Sequence, residues 1–304
     1  MRKTFILLFI LSGHSWSSQA QRDSTYILDP IGTEAFTVMR QNFNYDQDIP
    51  LDALIVERIE EAEYVREKVV FRGIRDNRVP AYLAIPKKGT GPYPCVLQLH
   101  GLDGSKSDWW VEDNWISGGQ ISKQLLAAGY AVLSLDAEYH GERLINNDYE
   151  RPGIFVFQKG WNARSDNMIV QTVTEYRRAL DYLATRSDID TSRIGMVGVS
   201  LGGFQTFILT GIDSRIKVSV ACVTPIVQDR YSAKAAFNYA PHITNQDFLM
   251  LMGKSDFVYS ISEAQQLYDL INSDSKEIYF YNSGHRLPSE WTEKAVTWMQ
   301  KYLK

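Results

Sequence analysis

Cysteine is nearly missing from this chain. Cys95 and Cys222 are the only two among 304 residues, so a disulfide-rich scaffold is excluded. Both sit in apolar, strand-like runs and read as small buried hydrophobes rather than as one bridge. Neither has a histidine at ligand spacing, and no metal site is expected. A basic excess is also lacking: the formal net charge of -4 gives no footprint for nucleic acid. There is no internal repeat, polybasic tract or low-complexity linker. The longest early apolar run, Phe5 to Leu11, falls short of the roughly 20 residues a bilayer span requires. Histidine is scarce as well, with five in the chain, which narrows any search for a general base.

What is present begins with a segment outside the fold. Arg2 and Lys3 precede that apolar run, and Ser18-Gln19-Ala20 closes it with small residues around a glutamine. This layout predicts a secretory signal over 1–20, cleaved after Ala20, and hence an exported protein with no membrane insertion afterwards. Residues 21–65 are expected to be an extension packed on the main domain, with a helix over Leu51 to Ala62. From 66 to 304 a single catalytic-sized domain is expected.

There, short β-rich runs come first: Lys68 to Phe71 and Val79 to Ile85 as a hairpin pair, then Cys95 to Leu99. Strand-like and helix-like stretches then alternate. Ala131–Leu135, Ile194–Val199, Val218–Cys222, Phe248–Met252 and Glu277–Tyr281 read as buried strands. Ile169, Val173, Tyr176, Leu180 and Leu183 mark one face of a long helix. Ser260 and Glu263 make a capping-box pattern, and Trp291, Ala295, Trp298 and Tyr302 stripe a final helix. Repeated β-α units predict a mostly parallel sheet covered on both faces. Reactive groups in such sheets gather beyond the carboxyl ends of the strands.

Gly198-Val-Ser200-Leu-Gly202 lies at such an end, between a strand and a helix. That setting forces the serine into a tight turn with its hydroxyl held clear of the sheet. A serine hydroxyl needs a base. With the signal set aside, His100, His140, His242 and His285 remain. His285, just past the last strand, is the candidate base, and His100 is expected to steady its own loop. Asp256, after the preceding strand, is the candidate orienting acid, with Asp136 its rival. Oxyanion donors are expected at the backbone N–H groups of Leu201 and Leu102, with Gly101 competing for the second place.

The order Ser200, Asp256, His285, together with Leu99-His100-Gly101, Asp136-Ala-Glu-Tyr-His-Gly-Glu-Arg143 and Arg193-Ile-Gly-Met-Val-Gly-Val-Ser-Leu-Gly-Gly203, resembles the α/β-hydrolase superfamily. More narrowly it is similar to the dienelactone hydrolase and acetyl xylan esterase branch, a cousin of the prolyl oligopeptidase catalytic domain. The resemblance covers roughly residues 66 to 304. It implies a mostly parallel central sheet of about eight strands, a two-step acyl transfer through an acyl-enzyme, and no cofactor. Dienelactone hydrolases use a cysteine nucleophile, and the serine here favours esters.

Carboxylic esters, among them acetylated carbohydrates, are therefore the expected substrates, with no nucleic-acid partner. A serine peptidase and a non-catalytic binding protein are the alternatives. Residues 1–65 are too few for the propeller that gates prolyl oligopeptidases. Trp110, His140 and Trp161 are expected to line the pocket, Trp109, Trp110 and Trp115 either to stack on sugar rings or to pack their loops down, and the long irregular stretch 141–166 to form a lid or wall.

Overall fold

In a computed structural model the protein is described from residue 26 to residue 304; the expected signal segment lies outside the described residues. Among the described residues nine strands make one sheet: β1 (Leu54–Glu60), β2 (Tyr64–Arg72), β3 (Arg78–Pro86), β4 (Tyr93–Leu99), β5 (Ala131–Leu135), β6 (Ile189–Val199), β7 (Ile216–Cys222), β8 (Asp247–Gly253) and β9 (Lys276–Tyr281). Their order is β1-β2-β3-β5-β4-β6-β7-β8-β9. The first three run as an antiparallel meander, β3 pairs antiparallel with β5, and every later neighbour is parallel.

Among the described residues six α-helices accompany the sheet: α1 (Thr33–Arg40), α2 (Gly118–Ala127), α3 (Asn162–Ala184), α4 (Leu201–Ile212), α5 (Ile261–Asp269) and α6 (Trp291–Tyr302). Helix α3 packs with α4, and α2 with α6. Strand β5 is buried at every position and β8 at all but its first, as happens when both faces of a parallel sheet are covered. The face of α3 predicted from its periodicity is wholly buried. Cys95 in β4 and Cys222 in β7 are free thiols, and burial pushes both up from the usual thiol range.

Two expectations about chain organisation are corrected. The stretch expected as a helix over 51–62 is the edge strand β1. Its apolar residues have helical spacing, but β2 offers a free edge, and pairing there satisfies the backbone of a segment rich in β-branched residues. The boundary drawn at 65 thus falls within β2. Leu28, Ile31, Phe36 and Met39 pack into the main core, and the Phe36 ring stacks on His242 at 3.6 Å.

The stretch 141–166 is likewise not irregular. A 3-10 turn (Gly141–Asn147) and a single π-helical turn (Ile154–Gln158) lead into α3. Gly153 N–H donates to Asp103 at 2.8 Å and Phe155 is fully buried, which ties the segment down beside the loop after β4.

Candidate active site

Strand β6 ends at Val199, and Ser200 stands alone before α4 with φ 58° and ψ -111°. A side chain in that region of backbone space costs about 1–3 kcal/mol and persists only where its surroundings impose it. Here they do. A Cβ on Gly198 would collide with the carbonyl oxygen of Gly202, and one on Gly202 with that of Leu99. Ser200 N–H is pinned to the Cys222 carbonyl at 2.9 Å.

Parallel β8 and β9 deliver the other two groups. Ser255 N–H donates to the Ser283 carbonyl at 2.9 Å, and Lys254 N–H to that of Tyr281 at 3.0 Å. Gly253 lies so close to the Gly284 carbonyl that no Cβ fits between them. These contacts press the two loops together. The structure thereby brings Ser200, His285 and Asp256 into one line: Ser200 Oγ lies 2.8 Å from His285 Nε2, and His285 Nδ1 lies 2.8 Å from Asp256 Oδ2. A carboxylate accepts, so Nδ1 carries the proton and Nε2 presents its lone pair to the hydroxyl. The second oxygen of Asp256 accepts Val258 N–H at 3.0 Å, and the Asp256 side chain is wholly buried.

The loop after β4 sits against the same turn, for a Cβ on Gly101 would lie 3.6 Å from that of Ser200. Ala137 N–H donates to His100 Nε2 at 3.1 Å, so His100 Nδ1 bears the proton and donates to the Gly101 carbonyl at 2.8 Å. Gly104 N–H reaches the same carbonyl. The Gly101–Leu102 peptide is trans, so its N–H points away from its engaged carbonyl. Neither that N–H nor the N–H of Leu201, the first of α4, has an acceptor among the described residues. The N–H of Gly101, the competing donor, is likewise without an acceptor among the described residues, so unclaimed donors and the positive end of a helix dipole flank the Ser200 turn.

The rival acid, Asp136, is fully committed elsewhere. It accepts from Lys106 N–H (2.8 Å), Lys106 Nζ (2.7 Å) and Glu142 N–H (3.0 Å). Three of the expected pocket residues lie apart from the triad's contacts. Trp110 packs on Tyr64 and Tyr82 with Arg66 over its ring. His140 is buried, with Nδ1 donating to the Glu138 carbonyl at 2.8 Å. Trp161 lies between Lys159 and Arg164. The rings that do meet His285 are Trp115, at 5.4 Å, and Phe257, at 5.3 Å. Phe257 had one signal in the sequence, its place next to Asp256.

The acetyl xylan esterase (AXE1) family model matches residues 44–249, more than half of the sequence. The chain belongs to this family. The match includes Ser200 and the loop after β4 and ends before Asp256 and His285, which geometry alone adds to the AXE1 site. YtaP of Bacillus subtilis (strain 168), described as a hydrolase, is 32% identical over 173 residues, 54% of this chain and 54% of its own length. The chain spans about half, or less, of the length of the curated relatives it matches.

Among solved structures, an acetyl xylan esterase from Paenibacillus sp. R4 superposes with a TM-score of 0.74 at 18% identity, over 91% of this chain and 98% of that one. A protein described as a dienelactone hydrolase, from Klebsiella pneumoniae subsp. pneumoniae MGH 78578, gives 0.59 at 19% identity, over 75% and 95%. Those likenesses establish the α/β-hydrolase fold. Among the described residues, no helix is long and apolar enough to cross a membrane.

Proposed function

We propose that this AXE1-family chain is an exported serine esterase that hydrolyses small carboxylic esters, acetylated carbohydrates among them. One observation carries the reading: an unbroken line of hydrogen bonds from the Ser200 hydroxyl through His285 to buried Asp256. In the first step Ser200 Oγ attacks the ester carbonyl while His285 Nε2 takes its proton. The negative oxygen is held by the N–H groups of Leu201 and Leu102. Asp256 keeps the imidazole in the required tautomer and stabilises its charged form. His285 then gives the proton to the departing alcohol, and water repeats the attack on the acyl-enzyme.

The test is hydrolysis of p-nitrophenyl acetate together with fluorophosphonate labelling. Adduct formation on Ser200, and loss of turnover in Ser200→Ala, are the expected results. Turnover unchanged in that variant would remove the proposal. Export is tested separately, by whether the secreted protein begins after Ala20.

A further inference from the structure

Resting on that esterase reading, a cation at the rim of the site says what else the substrate carries. Glu138 N–H, just past the end of β5, donates to Thr172 Oγ1 of α3 at 3.0 Å, so Thr172 is level with the carboxyl edge of the sheet. Arg164 comes two turns earlier, and at about 1.5 Å per residue its backbone stands up to about 12 Å beyond that edge. On one flank, Gly153 N–H holds Asp103, in the same loop as Leu102, and the Tyr139 and Phe155 rings lie 4.8 and 5.5 Å from the Arg164 guanidinium. On the other, Lys234, between β7 and β8, donates to Ser165 Oγ at 3.0 Å. Strands β4 and β6 lie between β5 and β7. The first turn of α3 therefore spans the rim that holds Ser200.

Half-buried Arg164 is poorly provided for by its own protein. Helix α3 opens with no acidic residue in its first turn and no side-chain cap, and a cation at this positive end of a helix dipole is disfavoured. The rings of Tyr139, Phe155 and Trp161 surround the guanidinium. Its hydrogen bond goes to the side-chain oxygen of neutral Asn147, and its Nε is buried with no partner among the described residues. Carboxylates of the neighbouring turns are taken: Asp166 by Lys234 at 3.0 Å, Glu150 by Lys159 at 2.6 Å and Asp103 by Gly153 N–H at 2.8 Å. The backbone N–H groups of Ala163 and Arg164 also lack an acceptor among the described residues. A guanidinium fork set among rings, with two free N–H groups beside it, is the complement of a carboxylate.

We infer that Arg164 determines specificity, and that preferred substrates are esters bearing a free carboxylate, which the guanidinium receives while Ser200 attacks the ester carbon. That carboxylate belongs either to the acyl part or to the alcohol part, and matched pairs separate the two sources. One pair is mono-p-nitrophenyl suberate and p-nitrophenyl octanoate; the other is 4-acetoxyphenylacetate and p-tolyl acetate. The experiment measures kcat/KM for all of them in the unaltered protein, Arg164→Gln and Arg164→Lys, at low and high salt. Fluorophosphonate adducts on Ser200 report an intact triad in each variant.

The anionic-to-neutral ratio should fall about 10-fold or more in Arg164→Gln, as expected for one lost hydrogen bond to a charged group. Arg164→Lys should recover part of it, since the charge stays while the fork goes. A fall confined to the suberate pair puts the carboxylate on the acyl part, and one confined to the other pair puts it on the alcohol; either supports the inference. Added salt should erode the preference in the unaltered protein, a reading that needs no variant. Ratios unchanged in Arg164→Gln, or equal losses on anionic and neutral esters, would mean that Arg164 only braces the rim and would overturn the inference. So would a salt response shared by both members of each pair. Absent labelling of Ser200 in the unaltered protein would overturn the esterase reading itself.

Discussion

Two polar assemblies stand near the carboxyl ends of the strands, and they are built to opposite plans. In one, half-buried Ser200, His285 and Asp256 form a single file, each group with few partners. In the other, Lys106, Asp136, Arg143, Glu138 and Glu175 lie buried in a dense net of bonds that leaves Arg143 Nε without a partner among the described residues. Arg143 reaches Glu138, Glu175 and the Asp136 carbonyl at once, while Lys106 bridges Asp136 and Glu142. Burial alone would pull Lys106 down, yet the two carboxylates hold it above the usual lysine range. A saturated carboxylate has no free lone pair aimed at an imidazole. A group available for chemistry is therefore recognised here by what it leaves unbonded, rather than by its charge or burial.

The sharpest test separates the two plans by readout. Ser200→Ala is expected to cost about 10⁴-fold or more in kcat, and Asp256→Asn about as much, because the amide imposes the wrong imidazole tautomer. Urea unfolding of Ser200→Ala should differ little from that of the unaltered protein. Lys106→Met should behave the other way. Removing one partner of a buried ion pair strands Asp136 and costs about 3–5 kcal/mol of stability, read from denaturation midpoints. A Lys106→Met protein of unchanged stability would show that the second assembly is not a buttress.

How much of this could be read beforehand follows from the same contrast. The parallel strands were legible because a strand covered on both faces is an unbroken apolar run, as in Ala131 to Leu135. The Ser200 turn was legible because Gly198 and Gly202 are the residues its crowding demands. Strand β1 was not. Leu51, Leu54, Ile55, Ile59 and Ala62 recur at helical spacing, and since nearly all of β1 is exposed, no in-and-out alternation reveals the strand. Nor was the choice among neighbouring tryptophans legible. Trp109 is fully buried, Trp110 lies on the β2–β3 hairpin, and only Trp115 reaches His285. That sorting depends on a turn closed by Asn114, which no periodicity announces.

A third test uses acid. Burial, and to a lesser degree the neighbouring His100, holds His140 well below the usual histidine range; burial also lowers His100. In the unfolded chain both titrate near about 6.5. Below that pH the unfolded chain binds protons that the folded one refuses, so stability is fully present above it and is lost as pH falls toward the depressed folded values. The slope should approach about 1.4 kcal/mol per pH unit for each residue. Urea midpoints at pH 7.5 and 5.5 measure it, and His140→Asn should flatten the difference. Stability that rises on acidification would mean that these rings are charged in the folded protein.

The smallest effect concerns what lies between a local cap and the site. Ser260 opens α5 four residues after Asp256, accepting Glu263 N–H at 3.2 Å while Glu263 accepts Ser260 N–H at 2.8 Å. Ser260→Ala removes one of these two bonds and should cost about 1 kcal/mol of stability. Yet the Asp256 oxygens are held by Val258 N–H and His285, and neither bond passes through Ser260. The variant should thus lose midpoint and keep kcat. A fall in kcat larger than the loss of folded protein would show that the frame of α5, and not the carboxylate's own bonds, fixes the acid.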